Sequence, residues 1–445
     1  MRKILFFAAA IIILLLLCFT GWLQYRQYTS YKIPVHANAQ TIVRVNADKL
    51  IRIFISEYGF NFRKKISAKD VTKKDTALNT GIYLPGNIFI YNISSKLPST
   101  FFCTLPIYDF DDFKIFVQER FKITLKDSAA FTTGTNTDST LTLACNKNYV
   151  SIAWSLKKEV VLDILKEIIN SKNILPQNAA VFIKLKKEKS LVTAASSELL
   201  ATLDINNKKI LLHSSIDIFD KLDIRENTKK RTMDKASIAS ASFTLFPWAS
   251  WFKNEYRIKQ YRIETDSILK YFNGYADIEI GKSIFQTDTI TSYEYDDNFE
   301  KKSKQTITGI KVPAIKLLLK AAPGMMNYLQ KQQVVTTNHV LNKEVFPLYN
   351  VSVVQANEFL YFNTDMNNAV LPHTFENSNN FLDIQIDFKK DSTAFGIPYL
   401  QAYTKNISTI SITGKKDKGA AIILDGVINL KTSVLKELMD MVKMF

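Results

Sequence analysis

From Ile4 to Leu23 the chain runs ILFFAAAIIILLLLCFTGWL, twenty residues without a charge. At 1.5 Å per helical residue that stretch rises about 30 Å, the depth of a bilayer's hydrocarbon core. Thirteen of the twenty are Ile, Leu or Phe. On the insertion scale they sum to about −4 to −8 kcal/mol, enough to hold a helix in lipid. A cleaved signal peptide would carry a shorter apolar run and a small-x-small site. Here the run is followed by Trp22, Tyr25, Tyr28 and Tyr31, spaced like an interfacial aromatic belt. Leu17 stands where a lipobox ahead of Cys18 needs a small residue. Arg2 and Lys3 precede the run, so the N-terminus is expected on the cytoplasmic side. The expected layout is a tail over 1–3, a transmembrane signal anchor over 4–23 and a connector over 24–32. It makes the protein a single-pass resident of a bacterial inner membrane, with its C-terminal bulk in the periplasm.

Composition narrows the remainder. The chain is 47% hydrophobic and 12% aromatic, which supports real cores and argues against disorder. Thirteen glycines in 445 residues count against doubly wound nucleotide folds and glycine-rich phosphate loops. The net charge is +16, in clusters such as Arg63-Lys64-Lys65, Lys186-Lys187, Lys229-Lys230-Arg231 and Lys301-Lys302. Such charge would attract an anionic membrane or wall polymer. The same clusters, scattered among Asp, Glu and Thr, also read as an ordinary solvated surface. Nucleic acid is excluded as a partner by the expected location.

Strand-like and helix-like periodicities alternate along the chain. Thr41–Val45 reads as a strand, Asn46 as the N-cap of a following helix and Gly59 as its end. Asp109–Phe121 and Lys157–Asn170 carry apolar residues at helical spacing. Thr140–Ala144 and Val150–Trp154 read as a hairpin. In the C-terminal part, Val181–Lys186 reads as a strand, and Pro313 as the first residue of a helix running to about Ala322. Pro34 and Ala37 find counterparts in Pro176 and Ala179, each ahead of an apolar run, which suggests two related halves, 33–173 and 174–445. The fold class expected is α+β: a transmembrane helix, then large antiparallel sheets with amphipathic helices.

No catalytic, metal or nucleotide motif is present in the sequence: no HExxH, CxxC, calcium-spaced Asp loop, nucleophile elbow or phosphate loop. No catalytic residue, metal ligand or cofactor is therefore assigned. His36, His213, His339 and His373 stand far apart, so a hydrolase could only use a dispersed site. The acids of YDFDDF (Asp109, Asp111, Asp112) fit a helix N-terminus. Trp248, Trp251 and Phe252 fit either core packing or a surface patch. Cys103 and Cys145, both in strand-like segments, could join as a disulfide in an oxidising compartment or remain separate buried thiols. Asp followed by Ser or Thr and a small or aliphatic residue recurs. It resembles a bacterial O-glycosylation sequon and offers Thr76, Ser128, Ser139, Ser267, Thr289 and Ser392 as acceptors.

The Pro-x-x-Ala turn, the apolar strand and Asn46-Ala47-Asp48-Lys49-Leu50 resemble the opening of a group of bacterial membrane-anchored envelope proteins, catalogued as a domain-of-unknown-function family. The strand–turn–strand–helix from Ile407 resembles that group as well. The resemblance implies an anchored α+β exported region and carries over no catalytic residue. The function expected is a binding or scaffold module of the cell envelope, with an envelope protein, a lipid or an anionic wall polymer as partner. The alternatives are an envelope hydrolase and a lipid-handling protein.

Overall fold

The computed structural model describes residues 17–59, 79–128, 131–217, 224, 228–244, 252–295, 299–366, 374–390, 404–417 and 421–442. The chain divides into two compact units that meet in sequence between Asn207 and Lys208.

In the first unit the helix α1 (17–30) leads to strand β1 (Ala39–Asn46) and α2 (Ala47–Tyr58). Asn46 caps α2 as its residue type predicts, its side-chain oxygen accepting from the Lys49 amide at 2.9 Å. Gly59 ends it at φ +71°, where an L side chain would be strained. A hairpin follows, β2 (Asn87–Ile93) and β3 (Thr100–Pro106), then α3 (Phe110–Phe121). Asp109 caps α3 through the amides of Asp111 and Asp112, which accounts for the acidic cluster. Four strands come next: β4 (Lys126–Asp127), β5 (Thr132–Thr135), β6 (Leu141–Cys145) and β7 (Tyr149–Ser155). Helices α4 (Leu162–Ile169) and α5 (Ala180–Lys187) lead into β8 (Val192–Ala195) and β9 (Leu199–Asn206). All pairings are antiparallel, in the spatial order β9-β8-β1-β2-β3-β7-β6-β5-β4. One core joins Ile42, Phe89, Tyr91 and Phe102 of the sheet to Leu165 and Ile168 of α4 and Phe182 and Leu185 of α5. Burying each of these side chains stabilises the unit by about 1.5–3 kcal/mol.

The second unit begins with β10 (Lys209–Asp217), β11 (Thr228–Arg231), β12 (Ala239–Thr244) and the small hairpin β13 (Glu255–Ile258) and β14 (Tyr261–Glu264). After α6 (Thr265–Tyr271) come two long partners, β15 (Phe272–Tyr295) and β16 (Lys301–Ala321), then α7 (Gly324–Lys331). The strands β17 (Ser352–Ala356), β18 (Phe359–Asn363), β19 (Phe375–Ser378), β20 (Asn380–Asp387), β21 (Ile407–Lys416) and β22 (Ala421–Leu430) precede α8 (Val434–Val442). The order here is β10-β22-β21-β20-β12-β15-β16-β18-β17, again antiparallel throughout. Aligned strand by strand, β9-β8-β1-β2-β3-β7-β6 and β21-β20-β12-β15-β16-β18-β17 share one connection pattern. In each, a helix precedes the central hairpin and another follows it.

Several expectations are corrected. The anticipated α+β fold led by a transmembrane helix does not hold: the described residues are mostly antiparallel strand, and no helix among them is long and apolar enough to cross a membrane. Single-pass residence in an inner membrane is overturned on the same finding. Residues 4–16 of the expected anchor lie outside the described residues, and 17–23 are the first turns of α1. Of the supposed aromatic belt only Tyr31 joins the first unit's core, while Trp22, Tyr25 and Tyr28 are exposed. Trp22 lies under the Arg26 guanidinium. Arg26 in turn pairs with Asp48 at 3.0 Å.

Val181–Lys186, expected as a strand, is helical, so Pro176 and Ala179 precede a helix where Pro34 and Ala37 precede a strand. Pro313, expected to open a helix, lies inside β16 opposite Ser283, where the register of β15 shifts. A bulge tolerates a residue with no amide proton, and strand pairing on both sides overrides the helical spacing of the leucines.

The disulfide is also absent. Cys103 and Cys145 are free, and their strands β3 and β6 flank β7 on opposite sides. Cys103 lies opposite Ile152 and Cys145 opposite Val150, so two inter-strand spacings and a two-residue offset place the cysteines roughly 12 Å apart, beyond the reach of a disulfide. Burial pushes both thiols up to about 12. Ellman's reagent is therefore expected to titrate exposed Cys18 rapidly in the native chain and the other two only on unfolding. Rapid reaction of all three thiols would contradict this packing.

Candidate functional site

The second unit holds a buried ionic cluster. Arg231 on β11 donates through Nε to Asp277 Oδ1 at 2.9 Å and through Nη1 to Glu279 Oε2 at 2.5 Å. Tyr275 donates its hydroxyl to Asp277 Oδ2 at 2.7 Å. Tyr275, Asp277 and Glu279 alternate along β15 and so share one face. Burial dominates at Asp277 and pushes its carboxyl up, against the pull of Arg231. Burial also raises Glu279, but the Ser237 hydroxyl and the Arg231 charge outweigh it and hold that carboxyl low. Every charged group here has a partner inside the cluster, so its chemistry is that of a structural tie between β11 and β15.

The first unit holds a different arrangement. A cavity of about 790 Å³ opens between α1, β1, α2 and the end of α5. Its lining carries five cations, Arg44, Lys49, Arg52, Lys186 and Lys189, against one carboxylate, Glu188. Tyr28 and Tyr31 supply an aromatic wall, and Tyr31 packs edge-on against Phe182 with ring centres 5.7 Å apart.

Arg44 is the deepest of these cations, with only 3% of its surface exposed. It sits on the same face of β1 as Ile42, so the strand's alternation turns its side chain into the core. There the guanidinium caps α5, Nη1 donating to the carbonyls of Leu185 at 2.7 Å and Glu188 at 2.8 Å. Nη2 donates to the Ser190 carbonyl at 3.1 Å and to Thr193 Oγ1 at 2.8 Å. Carbonyls at a helix C-terminus carry partial negative charge and welcome a cation. None of these acceptors is a carboxylate, and Arg44 Nε has no partner at all. A buried full charge without a counter-ion is costly, and an orphaned buried donor adds about 1–3 kcal/mol.

The surrounding cations differ in commitment. Lys49 pairs with Asp204. Lys186 stands 5.0 Å over the Tyr31 ring and donates to the Gln177 carbonyl. Burial pushes the Tyr31 hydroxyl up, while its hydrogen bond from Arg44 pulls it down. The arrangement can accept an anionic group: donors converge on a cavity whose own carboxylate content is too small to neutralise them.

The residues singled out in the sequence fall elsewhere. His36 is buried and meets Glu167 at 3.1 Å, where hydrogen bonds from Asn173 and His36 hold that carboxyl low. His213 meets Asp425 at 2.7 Å between β10 and β22, both half-exposed. His339 occupies a turn at φ +57°. His373, Trp248 and Trp251 lie outside the described residues, and Phe252 is exposed. Of the serines and threonines in the sequon-like pattern, Ser128 is exposed beside β4, and Ser139 is in a tight turn at φ +55°. Ser267 is within α6 and Thr289 within β15, while Thr76 and Ser392 lie outside the described residues. Among the described residues no group of acids, histidines and cysteines is spaced to hold a metal ion. Arg44 was the residue missed. Its signal is a lone arginine between two valines in a strand, at a position that alternation assigns to the core.

No family model and no curated protein matches the chain. Among solved structures it is similar to TP0453 in crystal form I, at TM-score 0.26 and 11% identity over 42% of this chain and 77% of that one. Crystal form III of TP0453 gives 0.22 and 8% over 74% and 92%. Likeness at this level carries no argument about fold or function.

Replacing Arg44 by Lys keeps the charge but cannot reach four acceptors at once. The variant is expected to lose about 1–3 kcal/mol in denaturant unfolding. Unchanged stability would mean that the guanidinium does not cap α5.

Proposed function

We propose that the chain is a binding module of the cell envelope and that its first unit holds an anionic group in the cavity beside Arg44. The observation that supports this reading is the buried guanidinium with no carboxylate partner and an orphaned Nε, in a cavity that gathers four further cations. A phosphate or carboxylate would supply the missing counter-charge and accept the remaining donors. Neutralisation inside a partly desolvated cavity strengthens each such contact relative to water. The aromatic wall of Tyr28 and Tyr31 suits an anion carried on a glycerol or sugar unit, whose C–H face packs on a ring. Lipid headgroups and phosphodiester wall polymers both present this chemistry.

Three probes separate the sources: glycerol 3-phosphate, vesicles of phosphatidylglycerol and a poly(glycerol phosphate) oligomer. Calorimetry with the full chain is expected to show saturable binding of glycerol 3-phosphate that weakens with added salt. Exchanging both Lys186 and Lys189 for Ala should reduce affinity at least about tenfold, as loss of charged hydrogen bonds of 1.5–3 kcal/mol implies. Tighter binding of vesicles than of the oligomer assigns the lipid, and the reverse assigns the polymer. Absence of saturable binding to all three would overturn the reading.

A further inference from the structure

The sheet of the second unit has two unlike faces. β21, β20 and β15 turn Ile410 and Ile412, Ile384 and Ile386, and Ile278 and Ile280 to one side. Register sets these isoleucines in two parallel rows. Ile386 stands opposite Ile410 and Ile384 opposite Ile412, with Ala239 and Ala241 of β12 joining both rows to β15. The rows run on to β10 at one end and β16 at the other, through isoleucine, leucine and one glycine. No polar side chain interrupts them over seven strands. The alternate positions Ser411, Gln385, Ser240 and Glu279 face the other way, and the buried tie from Arg231 lies on that polar side.

The next row along the same face is packed: Ala276 and Leu319 join the core built on α7, and Leu382 and Leu424 pack with Phe381 and Ile422. Among the described residues, no core takes in any residue of the two isoleucine-rich rows. Their aliphatic side chains are all half-buried, neither enclosed nor projecting. Six inter-strand spacings and two rows make a strip roughly 29 Å long and 14 Å wide, about 400 Å². An apolar patch of that size marks a binding surface more often than an ordinary exterior.

We infer that this strip holds the acyl chain of a single lipid molecule. A hydrocarbon chain asks for no hydrogen bond, and the side chains of the two rows offer none. A protein partner would leave its polar groups unmatched there, since ordinary interfaces carry about one hydrogen bond per 100–200 Å². A second copy laid face to face would bury about 400 Å² on each partner, about half of what a stable interface needs. A bilayer surface takes up apolar side chains that project from the protein, and these do not. A thin, flexible chain lying across the strands fits a long, narrow strip, and each methylene it buries strengthens binding. The strip lies within the second unit and does not rely on the anion cavity of the first.

The test uses the full chain and neutral probes, which the cations of the first unit do not attract. N-phenyl-1-naphthylamine is expected to fluoresce on saturable binding. Monoacylglycerols should displace it with an affinity that rises with chain length, by up to about fourfold for each methylene buried. A chain carrying Ile384→Thr and Ile412→Thr keeps β-branched side chains in its strands and should bind monoacylglycerol about tenfold more weakly. A monoacylglycerol with a diazirine on its acyl chain reads the site without mutation: after irradiation, label is expected on peptides of β12, β15, β20 and β21. Absence of displaceable binding, or label confined to residues outside the strip, would overturn the inference. So would a threonine variant that binds as the unaltered chain does. Label on the strip from diazirine-bearing phosphatidylcholine held in vesicles, with none from the monoacylglycerol, would assign a bilayer in place of a single lipid and overturn it as well.

Discussion

The first unit turns on one guanidinium. Arg44 reaches from the middle of a central strand into the end of α5, and its bonds to Leu185, Glu188 and Ser190 fix that helix against the sheet. Phe182 and Leu185, on the same helix, can then fill the core beside Phe89 and Tyr31. The cavity follows from the same placement, since its walls are the elements that Arg44 ties together. A hydrophobic residue at position 44 could pack the sheet, but it would leave the C-terminal carbonyls of α5 without donors. The charge that solves this structural problem creates another, an unneutralised cation beside solvent, and the proposed ligand is the group that resolves it.

The second unit handles buried charge differently. Arg231 is enclosed by Asp277 and Glu279, so the cluster is internally compensated and leaves little for a ligand to do. Two units that share a strand order thus place arginines in opposite electrostatic settings, and of these two arginines only Arg44 has a buried donor atom without a partner among the described residues. The topology they share argues that the fold supplies the scaffold and that particular side chains decide what each copy can bind.

Much of the local structure was legible in the chain. Asn46, Gly59 and Asp109 mark helix ends through capping chemistry that acts over three or four residues, and such signals survive in any tertiary setting. The hairpin β6–β7 was legible for the same reason. The failures came where distant pairing decided the outcome. Pro313 and the leucines after it have helical spacing, yet pairing with β15 on one side and with β18 on the other enforces a strand. The aromatic residues after the apolar N-terminal run looked like an interface with lipid, yet Tyr31 completes a protein core. For the site, the sequence offered the basic clusters around Lys186 but not the fact that Arg44 lies beneath them. Burial of a charged side chain depends on which strands and helix surround it, and spacing along the chain does not carry that information.

The most direct measurement is arginine side-chain nuclear magnetic resonance on the full chain, following the Arg44 Nε–H signal while glycerol 3-phosphate is added. If the orphaned donor faces an anion site, that resonance moves in a saturable way, and in a chain carrying the exchanges at Lys186 and Lys189 it moves only at about tenfold higher ligand concentration or above. A titration that leaves the Arg44 signal in place, while shifts arise only at surface lysines, would contradict the account at its centre.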